Sequence, residues 1–473
     1  MVGITSIGLY LPAYRLEHDE IARMWAGRSA GGARAVAGYD EDTVTMAVAA
    51  TLDCLARGGQ GADGLSLATT TAPYKEKQSA AIIAAAADLP EACHTADFTG
   101  SLRSAMIALK AAIDAVKAGS MENVMVVAAD SRPGAAKGAL EQNLGDGAAC
   151  LAVGSRDVIA EVEGSYSISN DFTDYWRAET DTFIRSAEGR FIDEVGYLPT
   201  MQSAVTGLLK QYKLDLNHFT RVIYYAGDAR QHAALARRLK LEKAQVQDPL
   251  YGRIGNTGTA AALFMLAAAL ETAAPGDRIL LAGYGDGADV FSLRVTDAVK
   301  KIQAKPIITG KLAGRAISYG QYLTWRGLVP VEASTLPERS PISLQARWRE
   351  RRAIAALYGA KCRKCGAPQF SQIGQTPRVC VNCQAKDQFE PYKFSDKRGV
   401  LFSYAIDQLM PTLNPPGVNG VFDFEGGGRL IGELTDCEID KVRVGMPLVM
   451  TYRKMFASRG INNYFWKARP EEE

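Results

Sequence analysis

Four cysteines, Cys362, Cys365, Cys380 and Cys383, stand in a C-x2-C, fourteen-residue, C-x2-C pattern. Four thiolates at this spacing can close a tetrahedral shell around one zinc ion, and a closed shell has no open position for substrate. The expected role is therefore structural. Glycine and polar residues at the knuckles of "GAKCRKCGAPQF" and "RVCVNCQAKD" fit a zinc ribbon. The remaining cysteines, Cys54, Cys93, Cys150 and Cys437, are scattered in apolar surroundings and read as reduced, buried thiols of a cytoplasmic protein.

The elements that must position any site come from a chain of 473 residues, enough for two to four domain-sized units. Apolar content of 47% and charged content of 22% are ordinary for a soluble globular protein. A formal net charge of +2 without a sustained basic tract speaks against nucleic acid as a partner. The opening "MVGITSIGLYLPAYRL" has no basic leader and reads as a strand, so no signal peptide is expected. The longest apolar run, Ala260 to Leu270, is too short to span a bilayer, and no membrane partner is expected.

Across the first three hundred residues short strand-like runs ("LSLATTT", "VMVVAADS", "ACLAVG") alternate with Ala-rich helical stretches ("MAVAATLDCLARG", "SAAIIAAAADL", "SAMIALKAAIDAVKAG"). That alternation predicts an α/β fold, layers of helices on mixed sheets. An internal duplication is also visible. "DAVKAGSMENVMVVAADS" followed by "GDGAACLAVG" has the same order of helix, acidic turn, strand, Gly turn and strand as "AAALETAAPGDRILLAGYGDGADVFSLRV". The predicted organisation is an N-terminal half at 1–155, a C-terminal half at 156–305 and a connecting arm at 306–345. A helix and zinc ribbon at 346–390 and a small five-stranded β-barrel of OB type at 391–473 follow. Tyr319, Tyr322 and Trp325 in the arm call for burial, so it should lie on a domain rather than swing free.

With these pieces in place the sequence resembles known families. "TTTAPYKEKQSAAIIAAAADLP", "VMVVAADSRPG", "NDFTDYWRAETDTFIRSAEGRF" and "YGRIGNTGTAAAL" resemble the thiolase superfamily, and within it 3-hydroxy-3-methylglutaryl-CoA (HMG-CoA) synthases of the archaeal kind. "YLTWRGLVP" and the four-cysteine ribbon before "RGVLFSYAID" resemble the zinc-ribbon and OB-fold proteins that accompany such enzymes. The resemblance implies a duplicated thiolase-like core with its companion fused on, acting on acyl-CoA. It further implies structural Zn2+, coenzyme A as part of the substrate, a homodimer, and association with other thiolase-family enzymes.

At the reactive positions the chain departs from that family. Leu102, in "ADFTGSLRSAMIALKAA", matches the nucleophilic cysteine, and Thr70 stands where the family has its acid/base glutamate. Tyr225, or in a shifted register Tyr224, stands for its histidine; the asparagine of "GNT" is kept as Asn256. Leu102 cannot be acylated. Ser101 beside it has a hydroxyl but no evident base, and Cys93 with His94 reads as core packing. Of the four histidines (His18, His94, His218, His232), His232 lies on a predicted helix and reads as a surface or capping residue.

What remains is a pocket expected to contain Asn256, Tyr225 and Tyr284. Such groups can polarise a thioester carbonyl, and a tyrosine of depressed pKa can move a proton to or from a β-oxygen. "GYGDGAD" (Gly283 to Asp289) reads as a turn between strands, with Tyr284 and Asp286 at the pocket. Asp174, Tyr175, Trp176 and Arg177 are candidates for its wall. Arg185, Arg190, Lys397 and Arg398 are candidate cations for CoA phosphates, each equally readable as solvated surface. Three functions stay open. The first is aldol or retro-aldol chemistry on a CoA thioester without an acyl-enzyme. The second is HMG-CoA synthase or Claisen-type acyl transfer with a substitute nucleophile. The third is a silent acyl-CoA-binding scaffold.

Overall fold

The computed structural model describes residues 1–59, 61–332, 343–370 and 377–471. The proline-rich part of the expected connector (333–342) and the middle of the ribbon (371–376) lie outside the described residues. The chain divides into two compact units. The first comprises Met1–Ala37, Asp42–Ala84 and Leu89–Tyr319; the second comprises Gly38–Glu41, Ala85–Asp88 and Gly320–Glu473.

The first unit is built on a sheet of nine strands. They are β1 (Gly3–Tyr10), β2 (Gly64–Ala68), β3 (His94–Phe98), β4 (Val124–Asp130), β5 (Gly147–Gly154), β6 (Ala160–Ser169), β7 (Arg221–Tyr224), β8 (Arg278–Tyr284) and β9 (Gly287–Val295). Their order is β7-β8-β9-β6-β1-β5-β4-β2-β3. The duplication seen in the sequence is written into this order. In one half β1 pairs antiparallel with β5, β5 antiparallel with β4, and β4 parallel with β2. In the other, β6, β9, β8 and β7 repeat the same sequence of pairings. The halves meet where β1 runs antiparallel to β6, at Gly3–Glu161 and Ile4–Ala160.

Helix α1 (Thr43–Ala56) starts at a capping box in which Asp42 accepts from the amides of Val44 and Thr45. It lies close on β1, where a Cβ on Gly8 would meet the Cys54 amide at 2.1 Å. Helix α2 (Ser104–Lys117) packs on β2 to β5 and also touches β8 and β9. Helix α3 (Leu198–Tyr212) covers β6 and β9, while α4 (Ala261–Thr272) touches β5, β7 and β8. Because α2 and α4 each touch both halves, they form a central layer between them. The burial of α4 shows it: nine of its twelve residues are buried, and its Ala, Leu, Phe and Met side chains circle the whole helix. No helix among the described residues is long and apolar enough to cross a membrane.

The second unit contains a three-stranded ribbon, β10 (Tyr358–Cys362), β11 (Pro368–Gln369) and β12 (Phe389–Lys393). A closed barrel follows: β13 (Gly399–Asp407), β14 (Gly417–Phe424), β15 (Arg429–Leu434), β16 (Pro447–Ser458) and β17 (Ile461–Pro470), ordered β13-β14-β15-β17-β16. The expected single helix before the ribbon is two short ones, Leu344–Arg349 and Arg351–Ala356, broken at Glu350. Tyr319, Tyr322 and Trp325 are buried, as their size requires.

Buried charge organises this unit. Arg453 on β16 and Lys467 on β17 are almost fully enclosed. Lys467 lies 2.9 Å from both Asp40 and Glu433, and Arg453 pairs with Glu41, Asp436 and, at 3.6 Å, Asp40. Burial alone would push the Asp40 carboxyl upward, but the two cations overcome this and hold it below the usual aspartate range. Removing one partner strands the others in a dry environment. Arg453→Met is therefore expected to destabilise the protein by about 3–5 kcal/mol, read from urea denaturation of the full chain.

Candidate active site

Strand β3 delivers the chain to Gly100, Ser101 and Leu102, immediately before α2 begins at Ser104. Against this turn lies the tight β8–β9 hairpin, whose Gly285, Asp286 and Gly287 all have positive φ. Only glycine fits at Gly285, because a Cβ there would come within 2.7 Å of Ser101 Oγ and 3.0 Å of the Leu102 amide. A cavity of about 140 Å³ opens beside them. Its walls are Gly100–Leu102, Gly285–Asp286, Thr70–Thr71, Arg132–Pro133, Asp174–Arg177 and Ile184.

The floor is organised by Asp130, which ends β4 and is fully buried. Its Oδ1 accepts from the Thr70 amide at 2.7 Å and from the hydroxyls of Thr69, Thr70 and Thr71 at 3.0–3.1 Å. Its Oδ2 accepts from the Thr259 amide at 2.8 Å, which comes from the other half of the fold. Thr70 is thus a donor locked onto a carboxylate, and it cannot supply the base that its position suggests.

Asn256 and Tyr225 meet. Asn256 Nδ2 donates to the Tyr225 hydroxyl at 3.1 Å, and to the carbonyls of Ala226 and Gly227 at 3.2 and 3.1 Å. Asn256 Oδ1 accepts from the Gly258 amide at 3.0 Å. Adjacent residues at the end of β7 face opposite ways, which separates the two registers left open. Tyr224 turns away to stack on His232, with ring centres 4.3 Å apart. Yet Tyr225, Asn256 and Tyr284 are buried behind the cavity wall and are not among its lining residues. The expectation of a depressed tyrosine pKa is also overturned. Burial pushes the Tyr225 hydroxyl up, only partly opposed by Arg132 and the Asn256 hydrogen bond. Tyr284 is raised by burial and then by the Asp174 carboxyl that it faces, and Tyr175 is raised by burial and by Tyr225.

The tetrad at Asp174 to Arg177 forms one whole wall. Asp174 is the group that sequence reasoning undervalued. It is 6% exposed, lines the cavity and takes the Tyr175 amide on Oδ1 at 2.5 Å. Burial lifts its carboxyl above the usual aspartate range. Its place in a loop of aromatic and charged residues was the only signal available.

Other expected groups land elsewhere. The Ser101 hydroxyl donates to the Gly285 carbonyl at 3.0 Å, so no base activates it. Cys93 is half-buried in the turn before β3, not packed in the core, because that turn reaches the protein's outer face; Cys437 is likewise half-buried. His232 is buried rather than superficial, and desolvation under Tyr224 drops its pKa to about 4, which keeps it neutral. Arg185 pairs with Asp181, Arg190 with Glu194, Lys397 with Asp396 and Arg398 with Glu471.

In the ribbon, the sulfurs of Cys362, Cys365, Cys380 and Cys383 lie within 4.8 Å of one another. Cys362 and Cys383 are 3.7 Å apart, and Cys365 and Cys380 are 3.5 Å apart. A tetrahedron with metal–sulfur bonds of about 2.3 Å has edges of roughly 3.8 Å, so the four thiols can surround one metal ion.

Comparison with known proteins agrees with this architecture. Residues 209–296 match the family model for the C-terminal part of 3-oxoacyl-[acyl-carrier-protein] synthase III, and residues 392–453 match that for the ChsH2 C-terminal OB-fold domain. Among solved structures, an HMG-CoA synthase complexed with CoA superposes with a TM-score of 0.64 at 20% identity, covering 71% of this chain and 92% of that one. MvaS in complex with 3-hydroxy-3-methylglutaryl coenzyme A gives 0.63 at 21%, covering 72% and 94%. The helix-and-sheet core is that of the thiolase superfamily, carried together with an OB-fold. Hydroxymethylglutaryl-CoA synthase of Methanopyrus kandleri is 30% identical over 336 residues, 68% of this chain and 96% of the relative. That of Archaeoglobus fulgidus is 31% identical over 340 residues, 69% and 98%. The chain belongs to the hydroxymethylglutaryl-CoA synthase family.

Asp130 holds the cavity floor by several hydrogen bonds to one buried charge. Asp130→Ala is expected to cost at least about 3 kcal/mol of stability, measured by urea denaturation, since it leaves the Thr70 and Thr259 amides unsatisfied.

Proposed function

We propose that this protein makes or breaks a carbon–carbon bond beside the carbonyl of a CoA thioester. The first reading is a condensation of the hydroxymethylglutaryl-CoA synthase kind, in which the α-carbon of one acyl group adds to the carbonyl of another. The names of its relatives favour this over retro-aldol cleavage. The observation that carries the proposal is the cavity at the start of α2, where Asp174 and Arg132 converge from different segments beside Ser101 and Leu102. Asp174, with its raised basicity, takes the α-proton of the thioester. The Arg132 guanidinium supplies positive potential to the oxygen on which charge develops. Asn256 and Tyr225 support the wall from behind.

A second reading, aldol chemistry without an acyl-enzyme, is favoured by one feature. The cavity wall carries Leu102, and Ser101 beside it spends its proton on a carbonyl. The two are separated by mixing the protein with acetyl-CoA and acetoacetyl-CoA, then with a panel of β-hydroxyacyl-CoA thioesters. Product formation is followed alongside intact-protein mass spectrometry. Condensation with an acetyl adduct on Ser101 establishes the first reading. Cleavage of a β-hydroxyacyl-CoA with no adduct establishes the second, and no turnover on either set contradicts both. In the active assay Asp174→Asn is expected to lower kcat by about 100-fold or more, the usual range for loss of a general base.

For the ribbon we propose one zinc ion held by Cys362, Cys365, Cys380 and Cys383, ordering that segment and supplying no chemistry at the cavity. Metal analysis should find about one zinc ion per chain, and Cys365→Ser should lose it. A purified, fully folded protein without zinc would contradict the assignment.

A further inference from the structure

Arg132 differs from Arg185, Arg190 and Arg398. Those three each lie against a carboxylate at the surface. Arg132 is 7% exposed and lines the cavity, and no described residue shares a hydrogen bond or ion pair with its guanidinium. Asp130, two residues earlier, is already saturated by Thr69, Thr70, Thr71 and Thr259. Asp174 and Asp286 share the cavity wall but make no ion pair with it. A lysine so placed could discharge itself by losing a proton; a guanidinium cannot. The Arg132 nitrogens are open to whatever enters the cavity, so a partner is to be sought there.

We propose that Arg132 anchors a carboxylate carried on the acyl side of the substrate, so that this chain selects acidic acyl-CoA thioesters. The inference rests on the thioester reading above. A planar fork of N–H donors matches a carboxylate in a two-point contact. Arg177 adds positive charge at the same wall, with its Nη2 spent on the Thr70 carbonyl at 2.9 Å. On the thioester reading the acyl group, not the nucleotide, lies beside Ser101 and Leu102, so a carboxylate on the acyl side is what reaches Arg132.

The test is calorimetric binding of four thioesters to the full-length protein. Malonyl-CoA and succinyl-CoA are compared with their uncharged shape-mates isovaleryl-CoA and isocaproyl-CoA, on wild type, Arg132→Met and Arg132→Lys. The acidic thioesters are expected to bind about tenfold more tightly than their partners. Arg132→Met should abolish that preference by weakening the acidic thioesters about tenfold, and Arg132→Lys should restore part of it. Thermal melting is the control for a structural role: Arg132→Met should melt at the wild-type temperature or above it, because no hydrogen bond or ion pair among the described residues depends on the guanidinium. Equal binding of acidic and neutral thioesters to wild type, or a preference that survives in Arg132→Met, overturns the inference and leaves the thioester reading standing. Failure of all four thioesters and of free CoA to bind wild type overturns both.

Discussion

One buried carboxylate determines the shape of the cavity. Asp130 gathers the loop at Thr69–Thr71 and the amide of Thr259, and so joins the strand end of one half to the approach of the central helix in the other. A charge enclosed this completely tolerates little movement of its donors, since every lost hydrogen bond is paid in full desolvation. Thr70 and Thr71 become wall rather than machinery, and the chain leaving Asp130 must present Arg132 to the same space.

The architecture was legible because its signals are periodic or local. The strand and helix spacing on either side of "VMVVAADS" and "RILLAGYG" exposed the duplication that the pairings of β1, β5, β4 and β2 against β6, β9, β8 and β7 repeat. Four cysteines at knuckle spacing marked the ribbon without any knowledge of the fold. The active site was less legible, since burial and facing are properties of tertiary packing. Tyr225 and Asn256 do meet, but nothing along the chain says that both stand behind the wall. Asp174 and Arg132 do face the cavity, and each is an ordinary residue in a loop until the fold removes its solvent.

This arrangement shifts the weight of the chemistry. A thiol at the start of α2 would let the fold hold one acyl group covalently, and the Leu102 side chain there cannot. What the cavity offers instead is a desolvated carboxylate, a buried guanidinium and a set of hydrogen-bonded tyrosines whose protons burial makes hard to remove. Those groups favour moving one proton and steadying one developing charge. Burial leaves the tyrosines better suited to serve as fixed dipoles than to give up a proton.

The central claim is that the acyl group reacts in the cavity between Leu102, Asp174 and Arg132. A crystal structure with a thioether analogue of an acyl-CoA, whose acyl part cannot be cleaved, tests it most directly. The account predicts the acyl carbon chain inside that cavity, with its α-carbon facing the Asp174 carboxyl. An acyl chain seated elsewhere on the protein, with Asp174 and Arg132 facing only water, would contradict it.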